Sequence, residues 1–278
     1  MQKATLKSPG TLFAALRVFD LSLSEMLWSR RTIFMALVVG LPIVLGVFVR
    51  VVTSLGAPGI RMNGIAVDGP TIFGLMIWAF YLRFSIPVLG VFYGTALIAD
   101  EVDDKTITYL FTRPIPRGAV LLGKYLAYLA CTVFVVLPSV VILWLLVIPI
   151  GGSLGAHYFD MVKDLALLAI GLAIYGALFA FVGAAVKRPL IVGLVFVFGW
   201  EPIMMLLPGY LKRFTVAYYL QGLVPQAMPG DSAASLVQSI FREIPTLTES
   251  MVWMSVMEIG FLWLAARIVA KKEYVLEQ

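Results

Sequence analysis

The stretch IADEVDDKTITYLFTRPIPRGAVLLGKY (residues 98–125) sets the densest run of charge in the chain between two long apolar segments: Asp100, Glu101, Asp103 and Asp104, then Lys105, Arg113 and Arg117. Charge of this density interrupts hydrocarbon where a chain leaves lipid for water, so the stretch divides two membrane-crossing helices and faces an aqueous neighbour. The rest of the composition agrees. Hydrophobic residues make up 61% of the chain, charged residues 13%, and mean hydropathy is +0.96, whereas soluble domains carry about 25% charged residues. These values define an all-α membrane protein, because a spanning segment must satisfy its own backbone. A single cysteine, Cys131, and a single histidine, His157, leave no disulfide framework, no Cys/His metal site and no histidine-based triad. The net charge of +5 lies beside apolar runs rather than in an aromatic-interleaved patch, so no nucleic acid partner is expected.

A hydrocarbon core of ~30 Å takes about 20 helical residues. Six segments meet that measure: 33–52, 72–98, 119–150, 164–186, 190–207 and 251–270. The third has residues to spare and contains Pro138, a candidate kink; the fifth is short and is broken by Pro202 and Pro208. The first exceeds a signal-peptide core and is expected to be retained. Fourteen Lys and Arg residues fall before span 1, between spans 2 and 3, between spans 4 and 5, and after span 6, against six in the alternate connections. That bias predicts a multi-pass protein of the cell (inner) membrane with both termini and the 98–125 stretch cytoplasmic.

The chain is expected to form one transmembrane domain, 1–278, with three appendages. Residues 11–30 space Leu12, Leu16, Phe19, Leu23, Met26 and Leu27 as an amphipathic interface helix. Residues 208–250 form an external helical region, in which Tyr210, Phe214 and Tyr218 recur at helical spacing and 235–241 make a second short helix. Residues 101–112 form a cytoplasmic helix of ~18 Å, with acidic residues at its start, Arg113 at its end, and Pro114 and Pro116 as the stop. Val102, Thr106, Tyr109, Leu110 and Arg113 share one of its faces and suit a hydrophobic groove on another protein. Gly118, Gly123 and Lys124 match G-x-x-x-x-G-K, but Tyr125 stands where a magnesium-holding Ser or Thr is needed and no strand precedes them. They are better placed at the start of a membrane helix, with Lys124 reaching the headgroups.

The same stretch resembles the signature of the type 2 permease family of ATP-binding-cassette (ABC) exporters, carried here by Glu101, Thr106, Arg113 with Pro114, Arg117, Gly123 and Lys124. The likeness covers essentially the whole chain and includes 198–202, FGWEP. It implies six transmembrane helices, an N-terminal interface helix and short outer-leaflet helices before the last span. It also implies a coupling helix, using Glu101, Val102, Thr106, Tyr109, Leu110, Arg113 and Arg117, seated in each of two separate ATPase subunits. Those ATPases would bind ATP and magnesium, leaving this chain without a cofactor, a metal or a catalytic residue, and a second permease copy or paralogue would complete the assembly in the lipid bilayer. Lys105 stands where the family most often has Gly, which favours an unbroken helix by nearly 1 kcal/mol.

Arg83, Glu201 and Glu258 lie well inside apolar segments, where an unmatched charge costs at least ~2.5–3.5 kcal/mol. They form either a structural ion pair, Arg83 with one carboxylate, or a polar path for substrate or protons. Gly90 and Gly94 are spaced for close helix packing within the chain. Met251, Met254 and Met257, with Met204 and Met205, suit soft-metal binding in principle, but without Cys or His support they are read as packing. Three functions stay open: an ATP-driven export permease, an ion-coupled secondary carrier using Arg83, Glu201 and Glu258, and a noncatalytic anchor for a cytoplasmic machine. No internal repeat of the kind that marks many carriers is evident. The charge bias is tested by cysteines at Thr112, Gln278 and Ser232. An impermeant thiol reagent applied to intact cells should label Ser232→Cys alone, and labelling of Thr112→Cys would reverse the topology.

Overall fold

The computed structural model describes residues 11–28, 30–55, 61–62, 65–66, 68–103, 117–206, 210–223 and 245–271. Helix α1 is Thr11–Leu27 and α2 is Arg30–Ser54. A two-residue antiparallel hairpin, β1 (Arg61–Met62) and β2 (Ile65–Ala66), precedes α3 (69–103). Then follow α4 (Arg117–Val147), α5 (Tyr158–Ala185), α6 (189–206), a tight turn at Tyr210–Phe214, α7 (Val216–Gln221) and α8 (Leu247–Lys271). Among the described residues five helices, α2, α3, α4, α5 and α8, are long and apolar enough to cross a membrane, and Pro189–Met205 of α6 is a shorter apolar helix. The end of the bundle carrying Asp100, Arg117 and Lys271 is called here the near end, and the opposite one the far end.

Helix α5 is the axis of the bundle, with residues 171–180 all buried. It begins at Tyr158, earlier than the apolar run suggests, because Asp160 and Lys163 form an i, i+3 pair at 3.3 Å on its first turn. Asp164 therefore lies within the helix and not at its border. Helix α3 runs alongside α5 at backbone contact. A Cβ on Gly90 would lie 2.8 Å from Tyr175 Cβ, one on Gly94 would lie 2.9 Å from Phe179 Cβ, and one on Gly183 would lie 2.4 Å from the Thr95 carbonyl oxygen. The small-xxx-small spacing thus serves packing inside the chain.

Both α3 and α6 widen into π turns beside a proline. Residues Ile77–Ser85 are π-helical ahead of Pro87, with the Ile86 N–H bonded to the Tyr81 carbonyl; Phe196–Trp200 are π-helical ahead of Pro202, with the Glu201 N–H bonded to the Phe196 carbonyl. A proline ring collides with the carbonyl four residues back and offers no N–H, and the wider turn relieves both. Pro138 has no such effect on element order, since α4 runs through it as one 31-residue helix with the proline on the exposed side. Helix α1 packs across the near end of α4, where Gly123 admits it: a Cβ there would lie 2.5 Å from the Ala15 carbonyl oxygen and 2.9 Å from Val18 Cβ. The face turned to the protein is Ala15, Val18 and Ser22, while Leu16 and Leu21 point away. Of the expected stripe, Leu16 is exposed while Leu23 and Met26 are partly buried against the core, and the small residues Ala15, Val18 and Ser22 are the buried face of α1.

Residues 210–223 also depart from the expected pattern. Thr215 is extended, so Tyr210 and Phe214 are exposed on one side of the break while Tyr218 is buried on the other. Residues 235–241 lie outside the described residues. The prediction here concerns the α3–α5 seam. Gly183→Ala should lower thermal stability in detergent by about 1–3 kcal/mol through overpacking, whereas Gly260→Ala, where an added Cβ meets nothing within 4 Å, should be neutral or stabilising by up to about 1 kcal/mol.

Candidate functional site

Helix α7 is six residues long, and Val216 to Leu220 are all buried. A helix this short has almost no internal hydrogen bonding, so its first N–H groups need outside acceptors. Glu201 supplies them from α6. Its Oε1 accepts from the Ala217 N–H at 3.4 Å, the Val216 N–H also bonds to the carboxylate, and Oε2 accepts from the Tyr175 hydroxyl at 2.7 Å. Glu201 is 4% exposed, so this is a buried carboxylate stationed at a helix N-terminus, where the backbone dipole favours it. The Tyr175 ring stacks on Phe179 at 6.1 Å, which in turn meets Phe196 edge-on. The carboxylate thereby ties α5, α6 and α7 together.

Arg83 acts on the same group. Its guanidinium lies over Trp78, 5.0 Å from the ring centroid, and it is close enough to interact electrostatically with both Glu201 and Tyr175. The Tyr175 hydroxyl and the two α7 amides bond the Glu201 oxygens directly, and Arg83 adds electrostatic attraction. The main role of Glu201 is therefore that of a tertiary helix cap. Glu258 meets a different partner. The Tyr125 hydroxyl lies 3.0 Å from Glu258 Oε1 and 2.9 Å from the Ala173 carbonyl oxygen, joining α4, α5 and α8. Of the three intramembrane charges the fold brings Arg83 and Glu201 into one cluster, and it gives Glu258 to Tyr125.

At the near end, Glu101 and Val102 are helical but belong to α3, which has run continuously from the far end. Asp100, Glu101 and Asp103 are thus borne on a continuation of span 2, not on the first turn of a separate helix. The reason is local: after the π turn closes at Gly94, residues 96–103 contain no Gly or Pro to stop the helix. Thr106, Tyr109, Leu110, Arg113 and the rest of the 104–116 segment lie outside the described residues; Arg117 opens α4. Gly118, Gly123 and Lys124 are all helical on α4, so they make no phosphate-binding loop. Gly123 instead seats α1. Among the described residues no group of three or more His, Cys, Asp or Glu could hold a metal. Met254 is buried and Met251 exposed.

Tyr125, Tyr175 and Asp164 were not singled out by sequence reasoning. Tyrosines inside apolar runs carry no signal until their hydroxyl partners are known, and in the sequence Asp164 reads as a span boundary.

Residues 18–270 match the model of the ABC-2 family transporter proteins, and the chain belongs to that family. Comparison with curated proteins gives no match. Membership makes the chain a multi-pass membrane permease component of an ABC transporter, and implies association with ABC ATPase partners.

The cap and the ion pair make different predictions. Glu201→Ala should cost about 1–3 kcal/mol through the unsatisfied amides it leaves, and should speed hydrogen exchange across 216–220. In double-mutant cycles, Glu201→Gln should couple to Tyr175→Phe by about 0.5–3 kcal/mol, and more strongly than to Arg83→Met. The reverse order would make Arg83 the principal partner.

Proposed function

We propose that the chain is the membrane-spanning subunit of an ATP-driven exporter, coupling ATP hydrolysis in separate ATPase subunits to movement of a substrate across the membrane. The family match from residue 18 to 270 carries this reading, because it takes in the 101–124 segment together with the helices on both sides of it. The segment would dock each ATPase through Val102, Thr106, Tyr109 and Leu110, with Glu101, Arg113 and Arg117 flanking. ATP and magnesium would be held by the ATPases.

The arrangement of the near end supports a mechanical role for this segment. Upstream it is continuous with α3, which contacts α5 through Gly90 and Gly94. Downstream it enters α4, whose Gly123 seats α1 and whose Tyr125 meets Glu258 on α8. A displacement of residues 101–117 would therefore be delivered to α1, α3, α4 and α8 at once. Helices α2 and α8 leave exposed apolar faces, including Ile33, Leu37, Leu41 and Val44 on one and Val252, Val256, Ile259 and Trp263 on the other. These faces suit lipid and a second permease copy or paralogue. Both termini would be cytoplasmic in the inner membrane.

Replacing Tyr109 and Leu110 together with Asp should release a co-expressed ATPase while leaving insertion intact, since charge is set where apolar contact is needed. Recovery of the ATPase at full occupancy with the purified double variant would overturn docking through this segment.

A further inference from the structure

Tyr125 is buried on α4, about 12 Å along the helix from Arg117, where α4 begins. Its hydroxyl lies 2.9 Å from the Ala173 carbonyl oxygen on α5 and 3.0 Å from Glu258 Oε1 on α8. A tyrosine hydroxyl donates one proton, whereas a carbonyl and a carboxylate only accept. The two acceptors, on different helices, therefore compete for a single donor. One turn further along α4 the arrangement is simpler: the Tyr128 hydroxyl donates to the Leu172 carbonyl at 2.9 Å and has no carboxylate to share it with.

Glu258 depends on the same contact. It is half-buried in the apolar middle of α8 and takes a hydrogen bond from Tyr125 alone among the described residues. The buried residues of α8 are Ser250, Met254, Ala265 and Val269, so nothing between Met254 and Ala265 is fully enclosed, and Glu258 sits inside that gap. Glu201, by comparison, is fully buried and receives two amides besides its tyrosine. One carboxylate is fixed by three donors, and the other is held by one shared donor.

From Glu258 the far half of α8 leads to α7. The Trp253 ring lies 6.4 Å from that of Tyr219, and a Cβ on Gly222 would lie 2.6 Å from Ser250 Oγ. Helix α7 has six residues and takes its order from outside contacts, since a helix that short is not stable alone. Contacts thus run unbroken from the start of α4 through α8 to α7, and one link on that route has two positions. Coupling between distant sites is carried by an element of that kind.

We propose that Glu258 is a positioning residue: the Tyr125 hydroxyl passes between Glu258 and the Ala173 carbonyl as the 101–117 segment is displaced, and α7 follows through α8. While the hydroxyl serves Glu258, α8 moves with α4. When it serves Ala173, α8 is released from α4 and its contacts with Tyr219 and Gly222 are reset. This latch rests on the export-permease reading and supplies the route by which ATP at the near end acts on the far end.

The test is hydrogen–deuterium exchange on the full-length chain, purified in nanodiscs with its co-expressed ATPase, with and without magnesium ATP and orthovanadate. In the unmodified complex the nucleotide should change exchange at 96–103, beside the segment, and at 216–220, each by at least about fivefold. Tyr125→Phe and Glu258→Leu should keep the response at 96–103 and lose the one at 216–220. Glu258→Gln still offers the hydroxyl an acceptor and should keep both. A merely structural role would shift exchange equally in the two nucleotide states and leave both responses in place. Should Tyr125→Phe not accumulate, Glu258→Leu and Glu258→Gln carry the comparison. An equal response at 216–220 in all four proteins, or its loss in Glu258→Gln, overturns the latch and leaves the export reading standing. A response at 96–103 with none at 216–220 in the unmodified complex does the same. No response at either place overturns the export reading, and the latch with it.

Discussion

The backbone contact between α3 and α5 is the constraint on which the other helices depend. With Gly90 and Gly94 facing Tyr175 and Phe179, and Gly183 under the Thr95 carbonyl, the two helices approach more closely than side chains on both would permit. Hydrocarbon gives helices little reason to associate, so such close van der Waals contact supplies much of the adhesion. It also fixes the rotation of α5. Tyr175 is turned toward Glu201 on α6, and the Leu172 and Ala173 carbonyls are turned toward Tyr128 and Tyr125 on α4. Tyrosine hydroxyls thus tie α4 and α6 to α5, and Tyr125 brings in α8 through Glu258.

Tyrosine suits this task because its ring packs as hydrocarbon while its hydroxyl can serve a carbonyl or a carboxylate. The acids Glu201 and Glu258, deep in apolar segments, are met in this way. Asp164 is not. Glu201 and Glu258 each have a hydroxyl turned toward them, whereas Asp164 Oδ2 has no hydrogen-bond partner among the described residues.

What was legible in the sequence followed the physics that acts along one helix. Apolar run length located the five helices long enough to cross a membrane, while the segment expected as the fifth of six spans is the shorter apolar helix α6, and small-residue spacing at Gly90 and Gly94 correctly implied internal packing. The failures came where distant elements decide the outcome. The stripe of Tyr210, Phe214 and Tyr218 is split by extended Thr215, and Val216 to Leu220 can be buried there because a carboxylate from α6 receives the amides of α7. Glu201 was recognisable as a costly charge, but its role as a cap was not, because nothing near it in sequence shows which helix begins beside it. The small face of α1 was likewise hidden: Ala15 and Val18 matter only because Gly123 lies opposite.

The π turns connect these local and distant effects. Two of the three π segments, Ile77–Ser85 and Phe196–Trp200, precede a proline, and each of these carries or adjoins a charged residue, Arg83 inside the first and Glu201 directly after the second. An extra residue in a turn rotates everything beyond it by roughly 100° relative to an unbroken helix. That rotation redirects Arg83 and Glu201 relative to the lipid-facing residues around them. Without the rotation set by the π turn ahead of Pro202, the carboxylate of Glu201 would take a different direction from α6, and α7 would lose its cap. The prolines are in this sense part of the polar cluster. They set the direction in which a charge leaves its helix, and that direction makes a membrane-embedded carboxylate tolerable.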